Sequence, residues 1–409
     1  MRISIRVSKL MEERSKYAGS SENRYIRIPF ELRDICELNV GSFINLRSNT
    51  GKIVTLKINL AYGKDVEIDP LSAYVSRGVF DALELESRKE RYEQEIDVIE
   101  GMTLGCDPEF FLVNNQNWNV IKASAVFRTK YGQLGHDGYL MELRPLPSVD
   151  EKVIVDSIWS LIQRARTQLN SMKLRGMTSE QVMMVAASHY KGFTAGFHLH
   201  FGLPRPLLGG AHQQTRWHVK NQIARALDYY VGIPSILPEG QEDYIRRTAS
   251  HIRYGKPGEW RQDNGITFEY RVPGGFMLRH PILSLGLLGL GAIVMEDTLS
   301  RIKACTNSFQ DLKVISNTSN LREIYPNVLD MFDLYKVMCS RDLTIAKVHL
   351  NTILKDLAQM VGFEKRQNSI EQMFRCIYDG TTFSPDLEGN WRSFYEKQQR
   401  SMDVLSARF

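Results

Sequence analysis

Two acidic residues lie two positions apart, directly before an apolar run, in residues 104–113 (LGCDPEFFLV). The run at 110–113 is typical of a β-strand that enters a hydrophobic core, where an unpaired carboxylate is costly. Because side chains alternate along an extended chain, Asp107 and Glu109 point to the same face. The pattern predicts that this face holds a positively charged partner.

Three further segments contain polar side chains two residues apart between apolar neighbours, and each predicts a strand with one polar face. One such pair alone is typical of a solvated face, a cross-strand ion pair or a structural histidine. Four segments that each place such a pair between apolar neighbours favour one sheet that presents these side chains together. The further pairs are Glu142 and Arg144 in MELRP, His198 and His200 in GFHLHFG, and Glu269 and Arg271 in ITFEYRV.

A sheet of this kind predicts a centre for hard divalent cations. Carboxylate oxygens with an occasional imidazole are typical ligands of Mg²⁺ or Mn²⁺, and arginines that face the metals would bind phosphate oxygens bidentately. The side chains that this face would gather as metal ligands are Asp107, Glu109, Glu142, His198 and Glu269.

A basic stretch, SHIRYGKPGEWR at residues 250–261, precedes the Glu269 strand. It places Arg253, Lys256 and Arg261 around two glycines and a proline. This predicts a loop that surrounds phosphate with backbone N–H groups and cationic side chains. Taken alone, a basic loop that contains glycine is a weak signal.

The pattern of strands and helices divides the 409 residues into four parts. Alternating runs predict a small β-rich domain over 1–85, and a mixed-charge stretch predicts a linker or linking helix over 86–101. Strands alternate with helices over 102–307, including an amphipathic helix from Glu151 with Ser148 and Asp150 as caps. Its apolar run at 282–295 predicts a buried helix that is too short to span a bilayer. Residues 308–409 predict a helical region.

The composition is that of an ordinary globular protein, with 43% hydrophobic and 24% charged residues. Five scattered cysteines without zinc spacing, and a start without an apolar run, predict a reduced, cytoplasmic setting and no membrane. The net charge of +5 is too small to indicate a nucleic-acid partner. The 17 Lys and Arg against 12 Asp and Glu in residues 151–300 fit a solvated face or a pocket for a nucleotide triphosphate.

Several of these motifs are familiar as a set. GCDPEFFLV, GFHLHFG and FEYRVP resemble, in order, the metal-binding and arginine-bearing strands of glutamine synthetases. Together with GHDGYLMELRP and RYGKPGEWR, they are more similar still to the phage-type COOH–NH2 ligases (amidoligase type 2), a branch of the glutamine synthetase-like superfamily. The resemblance covers roughly residues 100–295. It implies an α+β fold, in which a glutamine synthetase-like catalytic domain has a curved, mainly antiparallel sheet with flanking helices.

The resemblance also implies a role for each matching residue. Asp107 matches a ligand of the metal nearer the ATP phosphates, and Glu109 a ligand of the metal nearer the substrate. His198, Glu269 and, without an assigned counterpart, Glu142 are further implied ligands. The other implied roles are nucleotide binding by His200, Lys256 and Arg144, and stabilisation of the transferred phosphoryl group by Arg253, Arg261 and Arg271.

The family pattern is not matched everywhere. The first acid is Asp107 where glutamine synthetases usually have Glu, so its reach is shorter by one methylene. No counterpart of the flap glutamate that deprotonates ammonium is found, which argues against ammonia as the amine.

The activity that the resemblance implies is an ATP-dependent carboxylate–amine ligase with two or three Mg²⁺ or Mn²⁺ ions. It would form an amide through an acyl phosphate, in the cytoplasm of the host if the protein is phage-encoded. The implied partners are carboxylate- and amine-bearing substrates, such as a peptide, a protein or a cell-wall fragment, and a homo-oligomer is left open. The alternatives are a kinase on the same fold, a metal-dependent phosphodiesterase or nuclease, and a non-catalytic protein with a relic site.

Overall fold

The computed structural model describes residues 2–7, 25–35, 43–48, 53–61, 71–83, 85, 93–99, 102–127, 130, 132–171, 177–202, 213–252, 254–263, 267–306 and 325–406. The chain forms two compact units. The first comprises Met1–Gly105, Leu146–Ile154 and Phe201–Leu203, and the second comprises Cys106–Pro145, Val155–His200 and Pro204–Phe409. The domain boundaries predicted from the sequence stay predictions.

The first unit contains a closed barrel of six strands in the order β1-β5-β2-β4-β3-β6. β1 pairs with β5, and β2 with β4, in parallel, while the remaining described pairs are antiparallel. Alternate residues such as Ile3 and Ile5 fill the core, as expected for a sheet closed on itself. The elements are β1 (Arg2–Val7), β2 (Tyr25–Ile28), α1 (Phe30–Ile35), β3 (Phe43–Arg47), β4 (Ile53–Leu60), β5 (Ser72–Val75), α2 (Arg77–Ala82) and β6 (Glu93–Ile99).

Strand β6 corrects the prediction of a linker or linking helix over 86–101. Glu93–Ile99 instead closes the barrel by pairing with β1 and β3. Its mixed charges suggested a solvated helix, but Ile96 and Val98 alternate with Glu95 and Asp97. That period of two fits a strand rather than a helix.

The second unit is built on an eight-stranded sheet, whose central path is β15-β16-β14-β7-β10-β9, with β8 and β11 also paired to β7. Five pairs with described register are antiparallel, and the predicted α+β class with a mainly antiparallel sheet is confirmed. The strands are β7 (Leu104–Asn114), β8 (Val120–Ile121), β9 (Leu134–Asp137), β10 (Leu140–Leu143), β11 (Val182–Val185), β12 (His189–Tyr190), β13 (Phe193–Thr194), β14 (Phe197–Phe201), β15 (Trp260–Asp263) and β16 (Thr267–Tyr270), of which β12 and β13 form a separate hairpin.

Helices make up most of the rest of the described chain. The predicted amphipathic helix begins at Glu151, and Asp150 Oδ1 accepts a hydrogen bond from the backbone N–H of Lys152 at 2.9 Å. The π-helical segment Asp228–Gly232 joins α5 to α6. The helices are α3 (Ala123–Val126), α4 (Glu151–Ser171), α5 (Gln213–Leu227), α6 (Ile233–Ile236), α7 (Ile245–Thr248), α8 (Pro281–Thr306), α9 (Met331–Met338), α10 (Thr344–Lys347), α11 (Leu350–Leu357), α12 (Phe363–Tyr378) and α13 (Leu387–Ser406).

Helix α8 contains the apolar run that was predicted to be a buried helix. It continues to Thr306, so Pro281–Arg301 is long and apolar enough by composition to cross a membrane, contrary to the predicted short length. However, 78% of its most apolar window is buried inside the protein. Gly286 shows why the run is broken by glycines, because a Cβ there would lie 2.4 Å from the Cβ of Met373 on α12.

Candidate active site

The four strands that were predicted to share a polar face lie in one sheet, with β7 in its middle. Glu142 of β10 is directly opposite Glu109 of β7, and the backbone N–H of Glu109 donates to the carbonyl of Gly196 beside β14 at 2.8 Å. Every residue of β7 from Leu104 to Val113 is buried, including both acids. The charges therefore lie in the interior rather than on a solvated strand face.

Asp107 is the centre of the first group of side chains. Its Oδ1 lies 3.1 Å from His198 Nδ1, and its Oδ2 lies 3.1 Å from His200 Nε2. Burial raises the pKa of Asp107, but the charges of His200 and His198 outweigh it and hold that pKa well below its ordinary value. Burial lowers the pKa of His198. Asp107 therefore favours its ionised form, and an ionised carboxylate beside an imidazole can bind a metal.

Glu269 completes this group from β16. Its Oε1 lies 3.6 Å from His198 Nδ1 and 3.2 Å from Arg271 Nε. Its Oε2 accepts a hydrogen bond from Arg261, the residue opposite it on β15. Glu269 is fully buried, whereas 53% of the Arg261 side chain is exposed. The arginine can therefore reach a ligand in solvent while it touches the buried acid.

Three side chains of this region converge closely enough to bind one metal ion. Asp107, His200 and Glu269 each offer a ligand atom within 4.8 Å of the others. Among the described residues, Asp107 Oδ1 and Glu269 Oε1 are buried oxygens without a hydrogen-bond partner, although both lie near His198 Nδ1. Buried polar atoms nearly always have a partner. Two carboxylates and an imidazole that converge in this way fit a divalent cation.

Glu109 and Glu142 form a second group on the same face. Burial, and the neighbouring charges of Asp107 and Glu142, raise the pKa of Glu109 to about 8, although its Oε2 accepts a hydrogen bond from Gly196 N at 2.7 Å. Burial and the charge of Asp107 raise the pKa of Glu142 to about 7, and Asp137 adds to this effect. Like charges gathered this closely favour a cation between them.

Arg144 lies at the edge of the second group. It forms an ion pair with Glu142, and its Nη1 donates to the carbonyls of Lys130 and Gly132 at 3.2 and 3.1 Å. Its guanidinium is therefore held in place by the protein at one end of the acidic face. The predicted contact of Arg144 with a nucleotide remains a prediction.

The basic loop differs in part from its prediction. Arg253 lies outside the described residues. Gly255 and Gly258 have φ of +89° and +83°, which only glycine adopts without strain. The backbone N–H of Gly258 donates to Asp228 Oδ2 at 2.6 Å, so it is used internally rather than for a phosphate. The charge of Lys256 lies near Glu259 and Cys339.

Two residues at the site were missed in the sequence. Arg246 is fully buried and donates to the carbonyls of Arg271 and Val272 at 2.8 and 2.5 Å. The ring of Tyr254 packs edge-on against His198 with centroids 5.8 Å apart, and the guanidinium of Arg271 lies 4.6 Å from its centre. The one signal for Arg246 in the sequence was the Arg-Arg pair of the segment YIRRT, which by itself predicts no buried cation.

Gly196 shows how tightly His198 is held. A Cβ at Gly196 would lie 2.2 Å from His198 Nε2, so only glycine leaves room for the imidazole. The Nδ1 atom consequently faces Asp107 and Glu269. The glycine in GFHLHFG is thus explained by the position of the histidine that follows it.

The family model described as "Phage phiEco32-like COOH.NH2 ligase-type 2" matches residues 104–335 of the chain, which is more than half of it. No curated protein matches the chain.

Solved structures provide more distant likenesses. A bifunctional glutathione synthetase from Pasteurella multocida is 13% identical, with a TM-score of 0.33, and the match covers 68% of this chain and 52% of that one. The chain thus spans about half the length of that synthetase. A glutamine synthase homolog is 13% identical over 68% of this chain and 71% of that one, with a TM-score of 0.28. Glutamine synthetase from Plasmodium falciparum is 9% identical over 88% and 98%, with a TM-score of 0.35.

Proposed function

Because the chain belongs to the phage phiEco32-like COOH–NH2 ligase type 2 family, we propose that it is an ATP-dependent carboxylate–amine ligase. The observation that carries the proposal is the convergence of Asp107 Oδ1 and Glu269 Oε1 on His198 Nδ1, without hydrogen bonds to either oxygen among the described residues. Arg261 and Arg271 lie directly beside Glu269. A carboxylate cluster flanked by arginines is the arrangement needed to hold metal ions and phosphates together.

The chain offers two groups of metal ligands for Mg²⁺ or Mn²⁺. Asp107 and Glu269 would hold one ion, with His200 and His198 beside them, and Glu109 with Glu142 a second. Bound there, the cations would neutralise the negative charge of the triphosphate and of the phosphoryl group in transfer.

The arginines supply the fixed positive charge of the site. Arg271 is partly buried and lies 3.2 Å from Glu269, and Arg246 holds the carbonyls of residues 271 and 272, so the guanidinium of Arg271 is kept in one place. Arg261 is more exposed and would meet the nucleotide from the solvent side. His200, 3.1 Å from Asp107, would lie beside the phosphates.

The proposed reaction has two steps. First, a carboxylate oxygen of the substrate bonds to the γ-phosphorus as the bond to ADP breaks, which gives an acyl phosphate and ADP. Then the amine nitrogen bonds to the carbonyl carbon as phosphate leaves, and the nitrogen loses a proton. The chain's own residues hold the reactants in line, which supplies much of the rate, and their burial keeps out the water that would hydrolyse the acyl phosphate.

Nucleotide binding provides the first test of this proposal. Thermal unfolding and calorimetry should be measured with ATP plus Mg²⁺ or Mn²⁺ on the wild type, Glu109→Gln and Glu364→Gln, the last of which changes an exposed acid on α12. We expect metal-dependent stabilisation by ATP in the wild type and Glu364→Gln, and its loss in Glu109→Gln. No response to ATP in the wild type would overturn the ligase and favour a hydrolase.

Product analysis distinguishes a ligase from a kinase on the same fold. With a panel of carboxylates and amines, a ligase releases ADP and forms an amide only when both are present. A kinase would leave a stable phosphorylated compound without any amine. Mass spectrometry of the products reads out both outcomes.

A further inference from the structure

Five side chains form a surface that the proposed reaction has not used, here named the aromatic wall: Lys122, Tyr139, Tyr190, Lys191 and Phe193. The rings of Tyr139 and Phe193 stack with centroids 4.4 Å apart, and Lys122 Nζ lies 5.7 Å from the centre of the Tyr139 ring. Tyr139 is 40% exposed, and both lysines are exposed. The wall thus presents flat apolar rings flanked by two positive charges.

The aromatic wall lies on the same face of the sheet as the acids. Phe111 follows Glu109 by two residues and faces the same way, and their partners Leu140 and Glu142 on β10 share that face. Tyr190 packs on Phe111 with ring centroids 5.7 Å apart. Since two residues of a strand span about 7 Å, the wall begins one side chain away from Glu109.

The hairpin that contributes Tyr190 and Phe193 is also joined to the acids through the backbone. It leads through Ala195 to Gly196, whose N–H donates to Glu109 Oε2 at 2.7 Å. Phe193 and Tyr190 both pack against the small apolar cluster around Phe111. The hairpin is therefore fixed beside the acidic face by its packing and by this hydrogen bond.

Two turns with unfavourable backbone conformations hold the wall in place. Trp118 and Lys191 are the non-glycine residues with positive φ among those described, at 60° and 47°. They are tied together, because Tyr190 OH donates to the carbonyl of Trp118 at 3.1 Å and Lys191 Nζ donates to Asn119 Oδ1 at 3.2 Å. Such strain costs free energy and persists where the surrounding structure enforces it, often at binding sites.

We propose that the aromatic wall binds the body of the carboxylate-bearing substrate, and that this substrate is an acidic peptide with an aromatic side chain. The inference rests on the proposed ligase function, which requires the reacting carboxylate of the substrate to lie at the acidic face of the sheet. The exposed edge of the Tyr139 ring packs against the aromatic side chain. Lys122 and Lys191 attract its additional carboxylates, while the reacting carboxylate lies at the cation that Glu109 and Glu142 would hold. Asp137 lies near Tyr139 in sequence, but its charge acts on Glu142 and belongs to the acidic group.

The test uses calorimetry on the full chain with Mg²⁺ and the non-hydrolysable nucleotide AMP-PNP. The probe is the acetylated peptide Phe-Glu-Gly-Phe-Glu. Two matched peptides serve as comparisons: in one, both Glu residues are replaced by Gln, and in the other, both Phe residues are replaced by Gly. We expect the first peptide to bind most tightly. Tyr139→Ala should weaken it by about 3- to 10-fold, and Lys191→Asn, which keeps a residue tolerant of positive φ, by about 2- to 5-fold.

Matched variants control for general effects. Tyr378→Ala removes an equally exposed ring, at 40%, and Lys365→Asn removes an exposed lysine, both on α12. Neither should change peptide affinity, and all four variants should keep the nucleotide affinity and thermal stability of the wild type.

The outcomes separate this inference from the proposed function. If AMP-PNP binds but the three peptides bind equally or not at all, the aromatic wall is not the peptide site and the ligase proposal stands. Equal effects of Tyr139→Ala and Tyr378→Ala would also overturn the inference. If AMP-PNP fails to bind, the ligase proposal fails, and the ranking of the peptides without nucleotide still decides whether the wall binds acidic aromatic peptides.

Discussion

Two buried charged clusters lie in the second unit, and they differ in how their oxygens are satisfied. One is the candidate active site around Asp107 and Glu269. The other, here named the Glu239 network, is centred on Glu239, Asp243 and Arg247, with exposures of 8%, 4% and 2%. Both contain acids and cations in an apolar interior. In only one of them do the described residues supply a partner for every carboxylate oxygen.

The Glu239 network is complete within the protein. Asp243 accepts from the backbone N–H groups of Ser188, His189 and Gly240 at 2.6, 2.9 and 2.8 Å. Glu239 accepts from the Ser188 hydroxyl at 2.5 Å and from Arg247. A polar cluster that is fully satisfied makes the fold rigid and specific. The candidate site leaves Asp107 Oδ1 and Glu269 Oε1 without hydrogen bonds, which is the property of a site built for a ligand.

The largest expected effect is the loss of activity when the candidate site loses a charge. We predict that Asp107→Asn lowers kcat by at least about 100-fold, because the transferred phosphoryl group loses its metal. Without metal the variant should be less stable than the wild type at neutral pH, because the charges of His200 and His198, which lower the pKa of Asp107, favour its ionised form in the folded protein. ADP release and thermal unfolding in EDTA measure the two effects. Full activity in both Asp107→Asn and His198→Ala would show that the site lies elsewhere.

Loss of a charge in the Glu239 network should lower the stability of the fold without lowering the affinity for metal. Glu239→Gln leaves Arg247 buried without its charged partner, so we predict a free energy of unfolding lower by about 3–5 kcal/mol. Urea unfolding measures this, with Glu364→Gln as the control. The affinity of the folded variant for Mn²⁺ should be that of the wild type. An unchanged stability would mean that Arg247 is satisfied by the Met338 carbonyl, to which it donates at 2.8 Å.

Metal addition sharpens the contrast within one experiment. At Mn²⁺ concentrations of about 100 times Kd, we predict a gain of about 2.7 kcal/mol in the free energy of unfolding of the wild type. Glu239→Gln should show the same gain from its lower starting point, whereas Glu269→Gln should lose the part of the gain that comes from the ion held beside Asp107. A gain that survives in Glu269→Gln but disappears in Glu239→Gln would exchange the roles of the two clusters.

The contrast between the two clusters also shows which features of the structure could be predicted from the sequence. The site strands were predictable, because polar residues at i and i+2 between apolar neighbours have a period that only a strand explains. The Glu239 network was not, because Ser188 lies 51 and 55 residues from its acidic partners and no spacing connects them. A buried acid that stabilises the fold and one that binds a ligand have the same appearance in a sequence. Only the partners of each oxygen distinguish them.

The remaining differences between the predictions and the structure arise from hydrogen bonds to the backbone and from one misinterpreted charge pattern. The N–H groups of the basic loop were expected to bind phosphate, but Gly258 N donates to Asp228, a residue 30 positions away. Arg246 went unnoticed because its partners are two carbonyls at residues 271 and 272. Strand β6 was missed because charged residues on alternate positions resemble a solvated helix in composition, although their period is that of a strand.

Asp228 is an intermediate case that refines the comparison, and its expected effect within one pH unit is the smallest. It is fully buried and accepts hydrogen bonds from Gly258 N at 2.6 Å and Tyr270 OH at 2.8 Å. It thus has partners for both oxygens, as in the Glu239 network, but those partners are uncharged. Burial therefore raises its pKa from 3.8 to about 8.

This raised pKa predicts a specific dependence of stability on pH. Between pH 4 and 8 the folded protein keeps the Asp228 proton that the unfolded chain has lost, so the stabilisation is present at low pH and is lost as the pH rises through about 8. The free energy of unfolding should fall by up to about 1.4 kcal/mol per pH unit from this group. Asp228→Asn, which is neutral throughout, should reduce the slope in urea unfolding series at several pH values by this amount, and Glu109 and Glu142, whose pKa values are also raised, should leave a residual slope. If Asp228→Asn leaves the slope unchanged, Asp228 is ionised in the folded protein and its hydrogen bonds alone suffice to stabilise a buried carboxylate. The oxygens without hydrogen bonds at Asp107 and Glu269 would then be weaker evidence for a bound cation.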